Sequence, residues 1–303
     1  MLNRTVEIAG DNRFLCKERG FLAVYHKGER LGRLPLDDLG VVLAAGHGLT
    51  YSNNLLVALA ERCVPLVICD QRMRPSSICW PVKGHFEQSG RMTAQVAANQ
   101  PTKKRLWRQL VQAKISFQAL AAESRGIHAG HLAKLAAGVK SGDSGNVEAV
   151  AARQYWRVCF GPDFRRHRKG DGLNPLLNYG YTILRSATAR AVMLSGLHPA
   201  FGLHHHNKRN TMPLVDDLME PFRPVVDLLV LSLADDGERE LSTAVKGELA
   251  AIPNVDLRRK GKISPVSSCL QALASSLADI FLGERKKLLL PESLVLPVRA
   301  ATQ

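Results

Sequence analysis

Long apolar runs are missing from this 303-residue chain. The longest, residues 228–234 (LLVLSLA), falls far short of the ~20 residues a spanning helix needs, so no membrane partner is expected. The N-terminal stretch MLNRTVEIAGDNRF has no apolar core of the secretory-signal kind. Cysteine is sparse and unpatterned: Cys16, Cys63, Cys69, Cys79, Cys159 and Cys269 form no CxxC pair and no zinc-ribbon spacing. Most sit in apolar contexts such as VPLVICD and read as reduced thiols of a cytoplasmic protein. Aromatic residues make up only 6%, which argues against a platform for stacking single-stranded bases. Negative charge is scarce too, with 27 Asp and Glu against 41 Lys and Arg, a formal charge of +14. An excess of that size suits a phosphate backbone.

One segment concentrates what the rest lacks. GLHHHNKRNTMPLVDDLMEPFRPVVD (residues 202–227) sets three consecutive histidines, then Lys208 and Arg209, beside four carboxylates at a loop-to-helix junction. Imidazole nitrogen and carboxylate oxygen are ligands for a divalent cation of intermediate hardness, and the adjacent basic residues suit a polyanion. Asp217, Glu220, Pro224 and Asp227 recur at helical spacing and share one face, with Asp216 close to the same stripe. That face carries no basic residue, so its carboxylates repel one another unless a cation lies between them. Consecutive loop histidines point in different directions, so at most one or two of His204, His205 and His206 can reach one ion. A further carboxylate, Glu148, falls in the first turn of a helix, where complementing the helix dipole is explanation enough.

The first ~80 residues read as short strands cut by glycine and charged turns (RTVEIAG, FLCKERG, FLAVYHKG, RLGRLPL, GVVLAAG), the pattern of an antiparallel sheet system. Among them SNNLLVALAER has helical spacing, with Ser52 or Asn53 as its cap. The expected architecture is α+β: a β-rich domain over residues 1–85, a linker over 86–101, and an all-helical domain over 102–303. Six helices are expected after the linker. The first carries an apolar stripe at Leu106, Leu110, Val111, Ile115 and Leu120. The second spans about residues 129–139. The third spans 147–160, after the turn SGDSGN. A fourth opens at Asn174-Pro175 and stops near Gly196. The fifth opens at Pro213 and is kinked by Pro221 and Pro224. The sixth spans 264–282.

Basic clusters surround these segments: Lys103, Lys104, Arg105 and Arg108; Arg165, Arg166, His167, Arg168 and Lys169; Arg258, Arg259, Lys260 and Lys262. Of these, with Lys208 and Arg209, the residues Arg165, Arg166, Arg258, Arg259 and Lys260 are taken as candidates for contact with duplex DNA, whose affinity would fall steeply with salt.

NVEAVAARQYW, LNPLLNYGYTILRSATARAVMLSGLHPAFGLHHHNKRN and LVDDLMEPFRPVVD resemble the CRISPR-associated integrase-nuclease of spacer acquisition, the Cas-one family in its type II form. The resemblance is dense over residues 146–227 and extends in outline to SNNLLVALAERCVPLVICD. It implies that Glu148, His205 and Glu220 are catalytic and hold Mg²⁺ or Mn²⁺, with His205 chosen because it lies fifteen residues before Glu220. Asp216, Asp217 and Asp227 would support or cap. The implied chemistry is direct transesterification: the 3′-hydroxyl of spacer DNA attacks a phosphodiester at the CRISPR repeat boundary, and water in its place gives nuclease activity. The implied partners are double-stranded DNA (spacer precursor and repeat), a second copy of the chain through the β domain, and a dimer of the small Cas-two protein. Two other readings stay open: a hydrolytic branched-DNA or repair nuclease, and a DNA-binding scaffold without catalysis.

Overall fold

Residues Leu39–Ala44 (LGVVLA) form a strand, β5, that is buried at every position, as expected of a strand covered on both faces. The computed structural model describes residues 4–70, 75–82, 84–167, 169–205 and 207–295; Arg168 and His206 lie outside the described residues. In it, β5 runs parallel to β1 (Arg4–Ile8) on one side and to β7 (Leu66–Cys69) on the other, and β8 (Pro75–Cys79) closes the sheet antiparallel to β7. A second sheet has the order β4 (Glu29–Pro35), β3 (Phe21–His26), β2 (Phe14–Glu18), β6 (Thr50–Tyr51).

The expected antiparallel system is therefore confined to β2–β3–β4 and the β7–β8 pair. The turns explain the division. Arg19-Gly20 and Lys27-Gly28 all have positive φ, the backbone of tight two-residue hairpins. Between β5 and β7 the chain instead crosses over through helix α1 (Asn53–Glu61), capped by the Ser52 hydroxyl accepting from the Leu55 amide, and such a crossover returns the strand in the same direction.

Side-chain alternation makes the mixed sheet a wall between two cores. Val41, Leu43 and Val67 face a core shared with the helices, while Val42, Ala44 and Leu66 face Leu15, Leu22, Leu55 and Leu59. Polar ties reinforce the seam: Glu7 on β1 accepts from the Tyr179 hydroxyl at 2.5 Å and the Lys246 ammonium at 2.9 Å.

The segment expected as a linker holds helix α2 (Gln88–Ala97). Its fully buried Gln95 donates to the carbonyls of His198 and Phe201 and accepts from the His198 amide, so the segment is fastened to the loop that leads into the histidines. Helix α3 (Gln100–Ser124) follows, then α4 (Gly130–Gly138), α5 (Val147–Phe160) and α6 (Asn174–Leu194). The proline-rich fifth helix is broken as expected: α7 (Pro213–Met219), a 3-10 turn over Glu220–Phe222, and α8 (Arg223–Asp235). Beyond it lie α9 (Thr243–Ala250), β9 (Asp256–Arg259), β10 (Lys262–Pro265), α10 (Val266–Phe281) and β11 (Ser293–Leu294). The C-terminal region is thus mainly but not wholly helical, since β10–β9–β11 form a small sheet. Among the described residues no helix is long and apolar enough to cross a membrane.

Candidate active site

Helix α3 buries Trp107, Leu110, Val111, Gln118 and Ala121 along one stripe, and helical spacing sets Lys114 on that stripe. Its side chain is only 11% exposed. The ammonium lies 2.5 Å from Oε1 of Glu148 and 2.6 Å from Oε2 of Glu220. Two carboxylates 72 residues apart in sequence thereby converge on one positive charge (148 against 220).

Local structure delivers each of them. Glu148 stands in the first turn of α5, after a turn in which Gly142, Asp143 and Asn146 all adopt positive φ. The Asp143 carboxylate accepts from the amides of Val147 and Glu148 at 2.9 and 3.0 Å and so caps the helix. The capping role is therefore filled by Asp143, and Glu148 is turned toward Lys114. Glu220 occupies the 3-10 turn that Pro221 and Pro224 impose between α7 and α8, and is 4% exposed. Its Oε1 lies 2.9 Å from Nε of Arg223. Burial opposes its ionisation, but the Arg223 guanidinium and the Lys114 ammonium outweigh burial and hold the carboxyl down at about 2. Burial likewise disfavours the Lys114 ammonium, and Glu220 and Glu148 more than reverse it, raising its pKa. Lys114 donates a hydrogen bond to Glu148, whereas its contact with Glu220 and that of Arg223 are close without being well aligned: Glu220 Oε2 and Arg223 Nε, both buried, have no hydrogen-bond partner.

The histidine loop is built around Asp217. This wholly buried carboxylate accepts from the amides of Leu203, His204 and His205 at 2.6, 3.1 and 3.3 Å, and its Oδ1 lies 2.5 Å from Nδ1 of His205. That bond raises the His205 pKa against the opposing effect of burial, with Glu220 and Asp216 adding to it. With Nδ1 engaged, Nε2 is the nitrogen left for a ligand. The two neighbours are oriented differently. His204 stacks flat on Trp107, centroids 4.3 Å apart and planes at 1°, whereas His205 meets the same indole edge-on at 5.6 Å.

The remaining carboxylates do not join the cluster. Asp216 pairs with Arg185 at 2.6 and 3.2 Å and accepts from Asn210. Asp227, buried, accepts from the Tyr181 hydroxyl, and burial lifts its pKa to about 7. The shared acidic face expected from spacing is thus divided, because the 3-10 turn at Glu220 interrupts the helical period and the cations come from Arg223 and from α3.

Among the described residues no group of three or more His, Cys, Asp or Glu side chains is gathered around one point as a ready metal site. The donor chemistry nonetheless suits a divalent ion. Two carboxylates already face a shared cation, for which the Lys114 ammonium stands in, and His205 is near enough to Glu220 that each shifts the other's protonation.

The basic candidates divide by exposure. Lys208, Arg209, Arg258 and Lys260 are exposed, and Arg165, also exposed, donates to the carbonyls of Pro162 and Phe164. Arg166 turns inward, donating to Asn174 and Asn178 at 3.0 and 2.8 Å and lying over the Tyr181 ring. Arg259 alternates inward with Leu257, its Nε buried without a hydrogen-bond partner.

The chain as a whole is similar to known proteins. Residues 6–260 match the family described as CRISPR associated protein Cas1. Over 290 residues the chain is 34% identical to the CRISPR-associated endonuclease Cas1 of Neisseria meningitidis serogroup C, covering 94% of each chain. The fold is similar to a casposase bound to an integration product (TM-score 0.79, 20% identity, covering 94% of this chain and 92% of that one). It is also similar to a CAS1 protein from Thermotoga maritima (TM-score 0.74, 18% identity, covering 93% and 98%).

Proposed function

The chain belongs to the CRISPR-associated Cas1 family, and on that premise we propose that it is a divalent-metal-dependent DNA endonuclease and integrase of spacer acquisition. The observation that carries this reading is the convergence of Glu148 and Glu220 on one positive charge beside the anchored imidazole of His205. Two carboxylates and one imidazole leave coordination positions for water and for phosphate oxygens. We assign Glu148, Glu220 and Nε2 of His205 to hold Mg²⁺ or Mn²⁺. When bound, the ion supplies Lewis-acid stabilisation of the charge that develops on the scissile phosphate.

The chain's own residues do the rest. Asp217 holds the His205 ring with Nδ1 turned away from the ligand side, and Asp143 fixes the turn that presents Glu148. Arg223 lies against one oxygen of Glu220, and its charge, with that of Lys114, favours the ionised carboxylate against burial. Exposed Lys208, Arg209, Arg258 and Lys260 provide phosphate contacts by which a duplex is held in register. The attacking group is the 3′-hydroxyl of the incoming spacer DNA, so no covalent protein intermediate forms; water in its place gives strand cleavage.

A Neisseria relative is named an endonuclease, a casposase of similar fold is bound to an integration product, and a protein of similar fold, TtCas1, occurs in a DNA complex. A similar fold makes up part of a longer chain, 36% of which this chain covers, in a Cas6-RT-Cas1--Cas2 complex. On that basis the proposed partners are DNA and Cas2; the family resemblance adds that the DNA is duplex, that Cas2 binds as a dimer, and that a second copy of this chain pairs across the β region. The test is an integration assay: 3′-hydroxyl duplex DNA and a repeat-bearing plasmid, with and without Mn²⁺ and with and without Cas2. Joined product that requires the metal is expected. Cleavage without joining would leave a hydrolytic nuclease, and binding with neither would leave a scaffold.

A further inference from the structure

We infer that Lys114 is a built-in competitor for the divalent cation, and that it gives way fully only when a DNA phosphate arrives with the metal. The inference rests on the assignment of Glu148 and Glu220 as ligands and goes beyond it, to how the site is loaded.

Charge is the first argument. Around Glu220 the folded chain sets two carboxylates, Glu148 and Glu220, against two cations, Lys114 and Arg223. These four charges balance, and the buried Asp217 carboxylate bonded to His205 adds one negative charge beside them. A divalent ion added to the site would leave one net positive charge uncompensated in a largely buried setting, where charges act strongly. Phosphodiester groups carry one negative charge each and relieve that excess. Metal and DNA should therefore bind cooperatively, and each must tighten the other by the same factor.

Geometry is the second. The Lys114 ammonium touches both candidate ligand carboxylates at 2.5 and 2.6 Å, so an ion held by the same two residues would compete with it for them. The contact with Glu220 is close but without hydrogen-bond alignment, which leaves that oxygen open to a better partner. The side chain can leave without moving the helix, since lysine is a point charge on a flexible four-carbon stem. Once displaced, the ammonium is still tethered to α3 beside the site, within reach of a phosphate bound there.

The test is calorimetric titration of Mn²⁺ into the full-length wild type, Lys114→Met and Lys114→Arg, each with and without a short DNA duplex. Melting temperatures are followed in the same samples. Competition predicts that, without DNA, Lys114→Met binds Mn²⁺ at least tenfold more tightly than wild type, with Lys114→Arg close to wild type. It also predicts that duplex DNA tightens Mn²⁺ binding to wild type at least tenfold and to Lys114→Met much less. Lys114→Met leaves buried Glu220 and half-buried Glu148 facing each other without their shared cation, so its melting temperature should fall without metal and rise more with Mn²⁺ than that of wild type. Equal or weaker Mn²⁺ binding by Lys114→Met, or a variant that Mn²⁺ does not restore, overturns the inference while the ligand assignment stands. Absence of saturable Mn²⁺ binding in every protein, with and without DNA, overturns both.

Discussion

Nδ1 of His205 lies 2.5 Å from Oδ1 of Asp217, a carboxylate that also receives the backbone amides of Leu203, His204 and His205. One buried side chain thus sets both the path of the loop and the orientation of the imidazole. Asp217→Asn keeps the shape but loses the charge and one acceptor. It should weaken Mn²⁺ binding about 10–100-fold, the range typical for a group that orients a ligand, and lower the melting temperature. Calorimetry on the variant checks this, and unchanged affinity would remove His205 from the site.

Glu148→Gln, His205→Ala and Glu220→Gln should each abolish metal-dependent strand joining while far-UV circular dichroism stays that of wild type. Glu220→Ala is a different experiment. It takes the carboxylate partner from half-buried Arg223 and leaves Lys114 with Glu148 alone, a loss below the ~3–5 kcal/mol of breaking a fully buried pair. Loss of activity there would mix misfolding with chemistry, so the glutamine variant is the one that reads the site. Substantial joining by Glu148→Gln would refute the ligand assignment.

Much of this arrangement could be read from the chain before its fold was known, and the exceptions share a cause. Helix α5 begins and ends where the glycine-rich turn and Gly161-Pro162 place it, and α6 starts at Asn174-Pro175, because these signals are local. Glu148, His205 and Glu220 were singled out through resemblance; what each touches, Lys114 between the two glutamates and Asp217 on the histidine, was not. Lys114 was missed although its spacing on the Trp107–Val111–Gln118 stripe, a charge on a buried face, was the available signal. The parallel pairing of β1 with β5 was hidden because it joins segments 35 residues apart (Arg4 with Leu39). The β9–β10 hairpin was obscured by its own charges, which mask the period-two alternation of Leu257 with Arg258.

Asp227 makes stability depend on pH in a stated direction. Its folded pKa is raised to about 7 by burial, above the ~3.9 of an unfolded Asp. The folded state therefore holds the proton more tightly, so its contribution is fully present below about pH 4 and is lost as pH rises toward 7. Asp227→Asn, which stays neutral and can still accept from Tyr181, should gain melting temperature relative to wild type at pH 8 compared with pH 5. A difference between the two proteins that is the same at both pH values would show that Asp227 titrates normally.

DNA affinity should fall ~10³–10⁵-fold between 50 and 200 mM salt if 6–10 phosphates are contacted. Arg258→Glu with Lys260→Glu should weaken binding and flatten that slope, since both side chains are exposed. Arg166→Ala should act instead on the melting temperature, because its guanidinium is committed to Asn174 and Asn178. A flat salt dependence in the wild type would contradict a phosphate-tracking surface.

Self-association is best measured on the whole chain. Light scattering at micromolar concentration should report a dimer, and a monomer would place the β region's role elsewhere. Cutting the chain before α3 would not answer the question, because Val41, Leu43 and Val67 help to close the core around the helices.

Strand β5 touches two interiors at once, Val41 and Leu43 on one side and Val42 and Ala44 on the other. In a strand with one wet face, a slip of one residue exchanges apolar for polar side chains and is rejected on one side only. Here both faces are apolar, so polarity alone gives no such rejection. What distinguishes the correct register is shape: a slip would offer Val42 and Ala44 to space formed around Val41 and Leu43, leaving a gap the size of an isopropyl group on one side and crowding on the other. Exchanging Leu43 with Ala44 is therefore a change that conserves composition and total volume yet misfits both interiors together.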